Sequence, residues 1–226
     1  MKTSKSRELI DEFRQVVLGR ATLVDSILPP LLFVILNVLL GFDYAMWGSL
    51  ALAVVLGIVR LVRGQSAFYA LGGVAGVVLA MGLTWLLGQE QGYFLPGIAS
   101  NGLLALLCLL SIVVRRPLVA WTSYLARRWP LGWYWHPRVR PAYGEVTALW
   151  LLFFAARLVL QLVLYGREAV GLLALLNVLS GWPATIVLLA ASYLYGTWRL
   201  RHLGGPSVEE FEAGAEPPWQ GQERGF

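Results

Sequence analysis

The sequence places a cation, Arg157, in the middle of a long apolar stretch, with an amide four residues later. Arg157 lies about eleven residues into this stretch, or about 16 Å at the rise of an α-helix. A cation at that depth in a bilayer costs ~2.5 to 3.5 kcal/mol, so it should face protein or water and not lipid. Gln161 follows one helical turn later and shares that face.

Three asparagines in other apolar stretches fall at comparable heights when each stretch is built as a helix: Asn37, Asn101 and Asn177. Together with Arg157 and Gln161 they predict a polar layer inside the membrane. This layer has two interpretations. It is either a site for an anion or a polar headgroup, or a set of interhelical hydrogen bonds worth ~0.6 kcal/mol each.

Asp25 is a further candidate for this layer, as a partner of Arg157. Thr22 and Asp25 also fit a capping box at the start of the first apolar stretch, where the carboxylate would accept hydrogen bonds from free backbone N–H groups. Pro29 and Pro30 follow and predict a kinked or discontinuous span. The sequence leaves pairing and capping open.

Other reactive groups are too sparse for the usual catalytic or metal sites. Cys108 is the single cysteine, and His136 and His202 are far apart, so neither a disulfide nor a His/Cys metal site is predicted. The sequence has no GxxxxGK[ST], HExxH or GxSxG motif. We therefore expect no catalytic residue, no metal and no cofactor.

The elements that position these residues are apolar stretches of about 20 residues, the length at which a helix crosses a ~30 Å hydrocarbon core. Hydrophobic residues make up 58% of the chain and charged residues 14%, which is more apolar than a soluble domain. The expected fold class is an all-α membrane protein, a bundle of about six transmembrane helices in three hairpins. The expected spans are 22–42, 44–62, 67–87, 94–114, 146–165 and 169–198.

Basic residues orient these spans. If the N-terminus is cytoplasmic, all but two of the 18 Lys and Arg residues lie in cytoplasmic segments, the exceptions being Arg157 and Arg167. The positive-inside rule therefore predicts that both ends are cytoplasmic. A short amphipathic helix is expected over residues 1–20, ahead of the spans, and no cleavable signal peptide is predicted.

Between the fourth and fifth spans, residues 116–141 form a loop rich in tryptophan and arginine. Aromatic rings prefer the headgroup level, and arginine is attracted to anionic lipid. Such a mixture also occurs in nucleic-acid sites, but the flanking spans favour the membrane surface and no nucleic-acid partner is expected. The residues expected to contact lipid are Arg115, Arg116, Trp121, Arg127, Arg128, Trp129, Trp133 and Trp135.

The composition changes again after the last span. Residues 204–226 are rich in Gly, Pro and Glu, and such a segment has little apolar surface of its own to bury. The sequence therefore predicts a disordered acidic cytoplasmic tail.

Most of the chain, from about residue 22 to residue 198, resembles a family of bacterial membrane proteins, the domain of unknown function 3159. The segments that carry the resemblance are VDSILPPLLFVILN, RLVRG, YFLPGIASN, VVRRPLV, LWLLFFAARLVLQLVLY and SGWP. More distantly, the proline-containing first span, the Arg-Pro-Leu after a span and the Trp-rich start of the next are similar to the intracellular septation protein A family. That resemblance implies an inner-membrane protein tied to cell division or envelope synthesis through membrane partners.

These observations lead to two expectations about function. The first is a non-enzymatic, multi-pass protein of the bacterial cytoplasmic membrane that supports envelope or division machinery through contacts with the bilayer, anionic headgroups and membrane-protein partners. The second is a small transporter or channel for a polar or anionic solute, with its site around Arg157.

Overall fold

The computed structural model describes residues 32–64, 66–222 and 225–226, and over this range the chain forms helices and turns without a strand. The expected all-α fold is confirmed. The amphipathic helix expected over residues 1–20, the start of the first span and Asp25 lie outside the described residues.

The helices follow one another with short connections, and a 3₁₀ turn over Glu90–Phe94 leads into α4. The helices are α1 (32–40), α2 (Phe42–Val62), α3 (Ala67–Leu87), α4 (Leu95–Val113), α5 (Leu118–Arg127), α6 (Leu131–Tyr134), α7 (Arg140–Gly166), α8 (Val170–Leu179), α9 (Trp182–Leu203) and α10 (Val208–Glu212).

Within the described residues, 5 helical stretches are long and apolar enough to cross a membrane. They are Phe42–Val62, Ala70–Leu87, Glu90–Val113, Arg140–Gly166 and Val170–Leu203. The chain is therefore a multi-pass membrane protein. The expected count of six is not confirmed, because the first expected span is only partly described.

The last expected span, 169–198, differs from the continuous helix that its hydropathy predicted. α8 ends at Leu179 and α9 begins at Trp182. A Cβ atom on Gly181 would lie 2.6 Å from the carbonyl oxygen of Asn177, so the turn excludes any side chain there. Pro183 lies in the first turn of α9, where its missing N–H costs no hydrogen bond. Hydropathy does not detect such a break, because the residues on both sides are apolar.

Contacts divide the chain into two compact units, of which unit 1 comprises residues 1–96 and 163–183. Its described part includes the hairpin of α2 and α3. A Cβ atom on Gly57 would lie 3.2 Å from the carbonyl oxygen of Ala70, so the two helices approach closely at this point. Arg60, which the sequence placed in a cytoplasmic segment, is buried in α2.

Unit 2 comprises residues 97–162 and 184–226 and contains most of α4, α7 and α9. Hydrogen bonds within the span region connect these helices: Asn101 of α4 donates to the backbone of Phe154 in α7, and Trp150 of α7 donates to Ser192 of α9. A second group of contacts lies at one end of the unit. We call this end the head and define it as residues 115–147 together with the described part of 204–226.

Candidate functional site

Three of the predicted membrane polar residues lie in unit 2 and form a polar stripe. Asn101, only 3% exposed, donates from Nδ2 to the carbonyl oxygen of Phe154 at 3.0 Å. Gln161 is completely buried and Arg157 is half-buried, and both follow Phe154 along α7. Asn101 and Gln161 thus lie against protein and Arg157 does so in part, in line with the cost of exposing such groups to hydrocarbon.

The other members of the predicted polar layer lie in unit 1. The Asn177 amide donates to the carbonyl oxygen of Leu173 at 2.8 Å, within its own helix. Asn37 is half-buried in α1. The structure therefore bonds Asn101 to the helix that carries Arg157 and Gln161, whereas a common polar layer, with Asn37, Asn177 and Asp25 as further members, stays a prediction.

In the head, aromatic rings from the loop and from the first turn of α7 form a closed core. Trp133, Tyr134 and Tyr143 are each 0% exposed, with ring centroids 5.1 to 6.1 Å apart. The indole N–H of Trp133 donates to the carbonyl oxygen of Pro206 at 2.9 Å. Since both its ring and its N–H have protein partners, Trp133 belongs to the core of the head and not to the lipid-contact surface predicted for it.

The expected disordered tail packs on this core. Ser207 and Glu210 form a capping box at the start of α10, and the Glu210 carboxylate also accepts a hydrogen bond from the backbone N–H of Gln220 at 2.7 Å. Phe211 lies against Gly132. Composition predicted disorder because it counts only the apolar residues of the tail itself, whereas the tail also contacts rings earlier in the chain, among them Trp133 and Tyr143.

Two further tail rings complete the head. Phe226 stacks on Tyr143 with centroids 4.3 Å apart and an interplanar angle of 15°. It fills the space above Gly196, where a Cβ atom would overlap its ring. Trp219 lies edge-on to His136 at 5.3 Å, and the guanidinium of Arg138 lies 5.4 Å from the centroid of the same ring.

A salt bridge connects α7 and α9 at the border of the head. Both carboxylate oxygens of Glu145 accept hydrogen bonds from Arg199 at 2.7 Å, and the hydroxyl of Tyr195 donates to the same carboxylate at 2.7 Å. Such a bidentate pair fixes the relative register of two helices. The sequence shows a carboxylate at the start of one span and a cation at the end of another, but no local pattern pairs them.

The positive charge of the head rests on arginines. Arg116 stacks on Trp135 at 4.4 Å and Arg127 on Trp129 at 4.8 Å. Burial, followed by the charge of Arg138, lowers the pKa of His136, and burial raises the pKa of the Tyr134 hydroxyl despite its contact with Ser123. The lowered pKa of His136 favours its neutral imidazole and the raised pKa of Tyr134 favours its neutral hydroxyl, so the positive charge of the head comes from its arginines.

The family model described as "Protein of unknown function (DUF3159)" matches residues 18–201. The chain belongs to this family. Comparisons with curated proteins and with solved structures find no match.

The DUF3159 match includes the polar stripe, the aromatic core and nearly all of α9, but it ends before the tail. The tail nevertheless packs on residues inside the matched region, namely Trp133, Tyr143 and Gly196. The head of this protein is thus built from the DUF3159 region and a segment beyond it.

Proposed function

We propose that this DUF3159 protein is a non-enzymatic protein of the bacterial cytoplasmic membrane that supports envelope or division machinery through contacts made by its head. The observation that carries the proposal is the closed aromatic core of Trp133, Tyr134 and Tyr143, with the tail packed on it. A preformed surface of this kind loses little conformational entropy when it binds a partner. The distant resemblance to the septation protein A family is in line with such a role.

The distribution of charge supports a cytoplasmic position for the head. The hydrogen bonds of Val119 to Thr147 and of Arg199 to Glu145 bring the start of α7 together with α5 and the end of α9. Arginines gather at this end of unit 2, where the positive-inside rule favours the cytoplasm. They are Arg115, Arg116, Arg127, Arg128, Arg138, Arg140, Arg199 and Arg201.

Crosslinking in cells tests the contacts of the head. A photoreactive amino acid at Pro137 or Glu212, both exposed in the head, is expected to give discrete adducts with envelope or division proteins. The same group at Leu152, which is 67% exposed on α7, is the matched control and is expected to give none of these adducts. Identical adducts at all three positions, or none at the head positions, would overturn the proposal.

Thiol labelling tests the orientation. In a Cys108→Ala background, Glu212→Cys is expected to react with a membrane-impermeant maleimide only after the cells are opened. Glu90→Cys, between α3 and α4, is expected to react in intact cells. The reverse pattern would place the head outside the cytoplasm and contradict this part of the proposal.

The polar stripe supports a second candidate function, a small transporter or channel for a polar or anionic solute. Discontinuous helices are common in transporters, and the last span is broken at Gly181. Purified protein in liposomes, tested with phosphate and small carboxylates, distinguishes the two functions. Flux that is lost in Arg157→Ala and kept in Leu152→Ala supports transport, whereas adducts at the head without flux support the first proposal.

A further inference from the structure

We propose that the outer face of α5 lies in the headgroup layer of the membrane and binds anionic phospholipid. Trp121 and Leu125 would lie at the acyl boundary, with the guanidinium groups of Arg115, Arg116 and Arg128 on the lipid phosphates. This inference concerns a lipid surface and does not depend on the partner proteins proposed above.

α5 has two distinct faces. On its inner side, Ala120 is completely buried, the backbone N–H of Val119 donates to the hydroxyl oxygen of Thr147, and Ser123 lies 3.2 Å from the hydroxyl of Tyr134. On its outer side, Trp121 is 39% and Leu125 is 61% exposed. The two outer residues are one helical turn apart and form an apolar strip.

The position of α5 along α7 places this strip at the membrane boundary. Exposed apolar side chains on the unit 2 part of α7 run from Leu152 to Leu162, and Arg157 lies at the middle of that range. Val119 is bonded at Thr147, which is ten residues, or about 15 Å, from Arg157 along the helix. Half the thickness of a hydrocarbon core is also about 15 Å.

Charge at both ends of α5 fits an anionic surface. Arg115 and Arg116 precede the helix and Arg128 follows it, and all three are exposed. From Gln91 to Gly144 the sequence contains no Asp or Glu. Arg115 and Arg128 make no ion pair within the described residues. Their guanidinium groups are therefore available to phosphate oxygens, which they bind in a bidentate manner.

Continuity with the lipid-facing surface favours lipid over a protein as the occupant. Val113 and Val114, at the end of α4, are exposed apolar residues directly before Arg115. An apolar strip that starts where such a surface ends, flanked by arginines, has the composition of an interfacial helix. Of the tryptophans predicted to contact lipid, Trp121 is exposed, Trp129 and Trp135 are half-buried, and Trp133 is buried.

A fluorescent label at Leu125 tests the proposal in the full chain. The variant carries Cys108→Ala and Leu125→Cys with a polarity-sensitive dye, in vesicles of phosphatidylcholine with or without a minority of phosphatidylglycerol. We expect blue-shifted emission, quenching by lipids with a shallow spin label, and iodide quenching at least about threefold weaker than at a labelled Ala215→Cys control in the tail. Phosphatidylglycerol should strengthen the lipid quenching, and Arg115→Gln with Arg128→Gln should remove that increase.

Three results would overturn the inference. Iodide access at residue 125 equal to that at residue 215 would show that the strip lies in water. Protection from iodide without quenching by lipid would show that protein covers it. Equal lipid quenching with and without phosphatidylglycerol would show that the arginines do not recognise anionic headgroups. Leu125 is largely exposed, so its replacement should leave the fold intact, which the melting temperature of the labelled protein checks.

Discussion

The spans and the head of unit 2 differ in how far their apolar side chains are buried. On α7, Leu152 is 67% exposed, whereas Trp133, Tyr134 and Tyr143 in the head are 0% exposed. The spans leave apolar side chains on the outside because hydrocarbon is their solvent. The head has the kind of closed core that water requires. Unit 2 therefore contains both spans with apolar side chains on the outside and a closed aromatic core, and substitutions should affect the two parts differently.

The largest effect is expected for Trp133→Ala. Removing a buried ring that also donates a hydrogen bond to Pro206 should destabilise the head by about 3 to 5 kcal/mol. Limited proteolysis of the head in detergent, as a function of temperature, measures the change. Leu152→Ala is the control, expected to cost less than ~1 kcal/mol. Equal effects of the two substitutions would remove the distinction between span and head.

Gly196→Ala should have the next largest effect. A methyl group there would overlap the ring of Phe226, so the ring must leave Tyr143, at a cost of about 1 to 3 kcal/mol. Hydrogen exchange of residues 219–222 should become faster. Gly82→Ala, at a helical glycine where the new methyl group would meet no atom within 4 Å beyond the neighbouring helix backbone, should leave this exchange unchanged. Unchanged exchange in Gly196→Ala would contradict the packing of Phe226.

Asn101→Ala should have a smaller effect, in the span. It removes the hydrogen bond to the carbonyl oxygen of Phe154, and such bonds between membrane helices contribute ~0.6 kcal/mol on average. Unfolding of the purified protein in mixed micelles measures the difference. A loss as large as that of Trp133→Ala would show that the polar stripe contributes as much to the stability of unit 2 as the head does.

The smallest effect is expected from protonation of Glu210 at low pH. Backbone N–H groups of Gln220 and Ser207 lower the pKa of Glu210 in the folded tail. Because the folded pKa is below the unfolded value of about 4.3, the contribution of this carboxylate is present at neutral pH and is lost as pH falls through the folded pKa. Protection of the tail amides from hydrogen exchange should therefore be greater in the wild type than in Glu210→Gln at pH 7. In strong acid the two proteins should show the same protection. A constant difference across pH would contradict this account.

The spans were the most predictable part of the molecule. Those expected over 44–62, 67–87 and 94–114 agree with α2, α3 and α4 within a few residues, because a run of apolar residues is enough to identify a helix in hydrocarbon. α7 begins earlier than the expected residue 146, since its first turn, around Tyr143, lies in the head and contains polar residues. The break before Trp182 depends on one backbone turn, which hydropathy does not detect.

The head was less predictable because its contacts join distant parts of the sequence. Trp133 donates a hydrogen bond to Pro206, and Tyr143 stacks on Phe226. No pattern in the local sequence predicts either contact. In the same way, the sequence showed Arg157 and Gln161 on one face of a helix, but it did not show that Asn101 donates to the backbone of Phe154. Residue type predicted the polar character of the stripe, and only the fold supplied its partners.

The docking of Phe226 has a practical consequence for engineered versions of the protein. An affinity tag or fluorescent protein joined to the chain next to Phe226 would lie beside a side chain that is 9% exposed and stacked on Tyr143. Such a fusion is expected to displace the Phe226 ring from Tyr143 and to alter the surface of the head that the tag is meant to report on. The exposed turn at Gly214 and Ala215 is the better point of insertion.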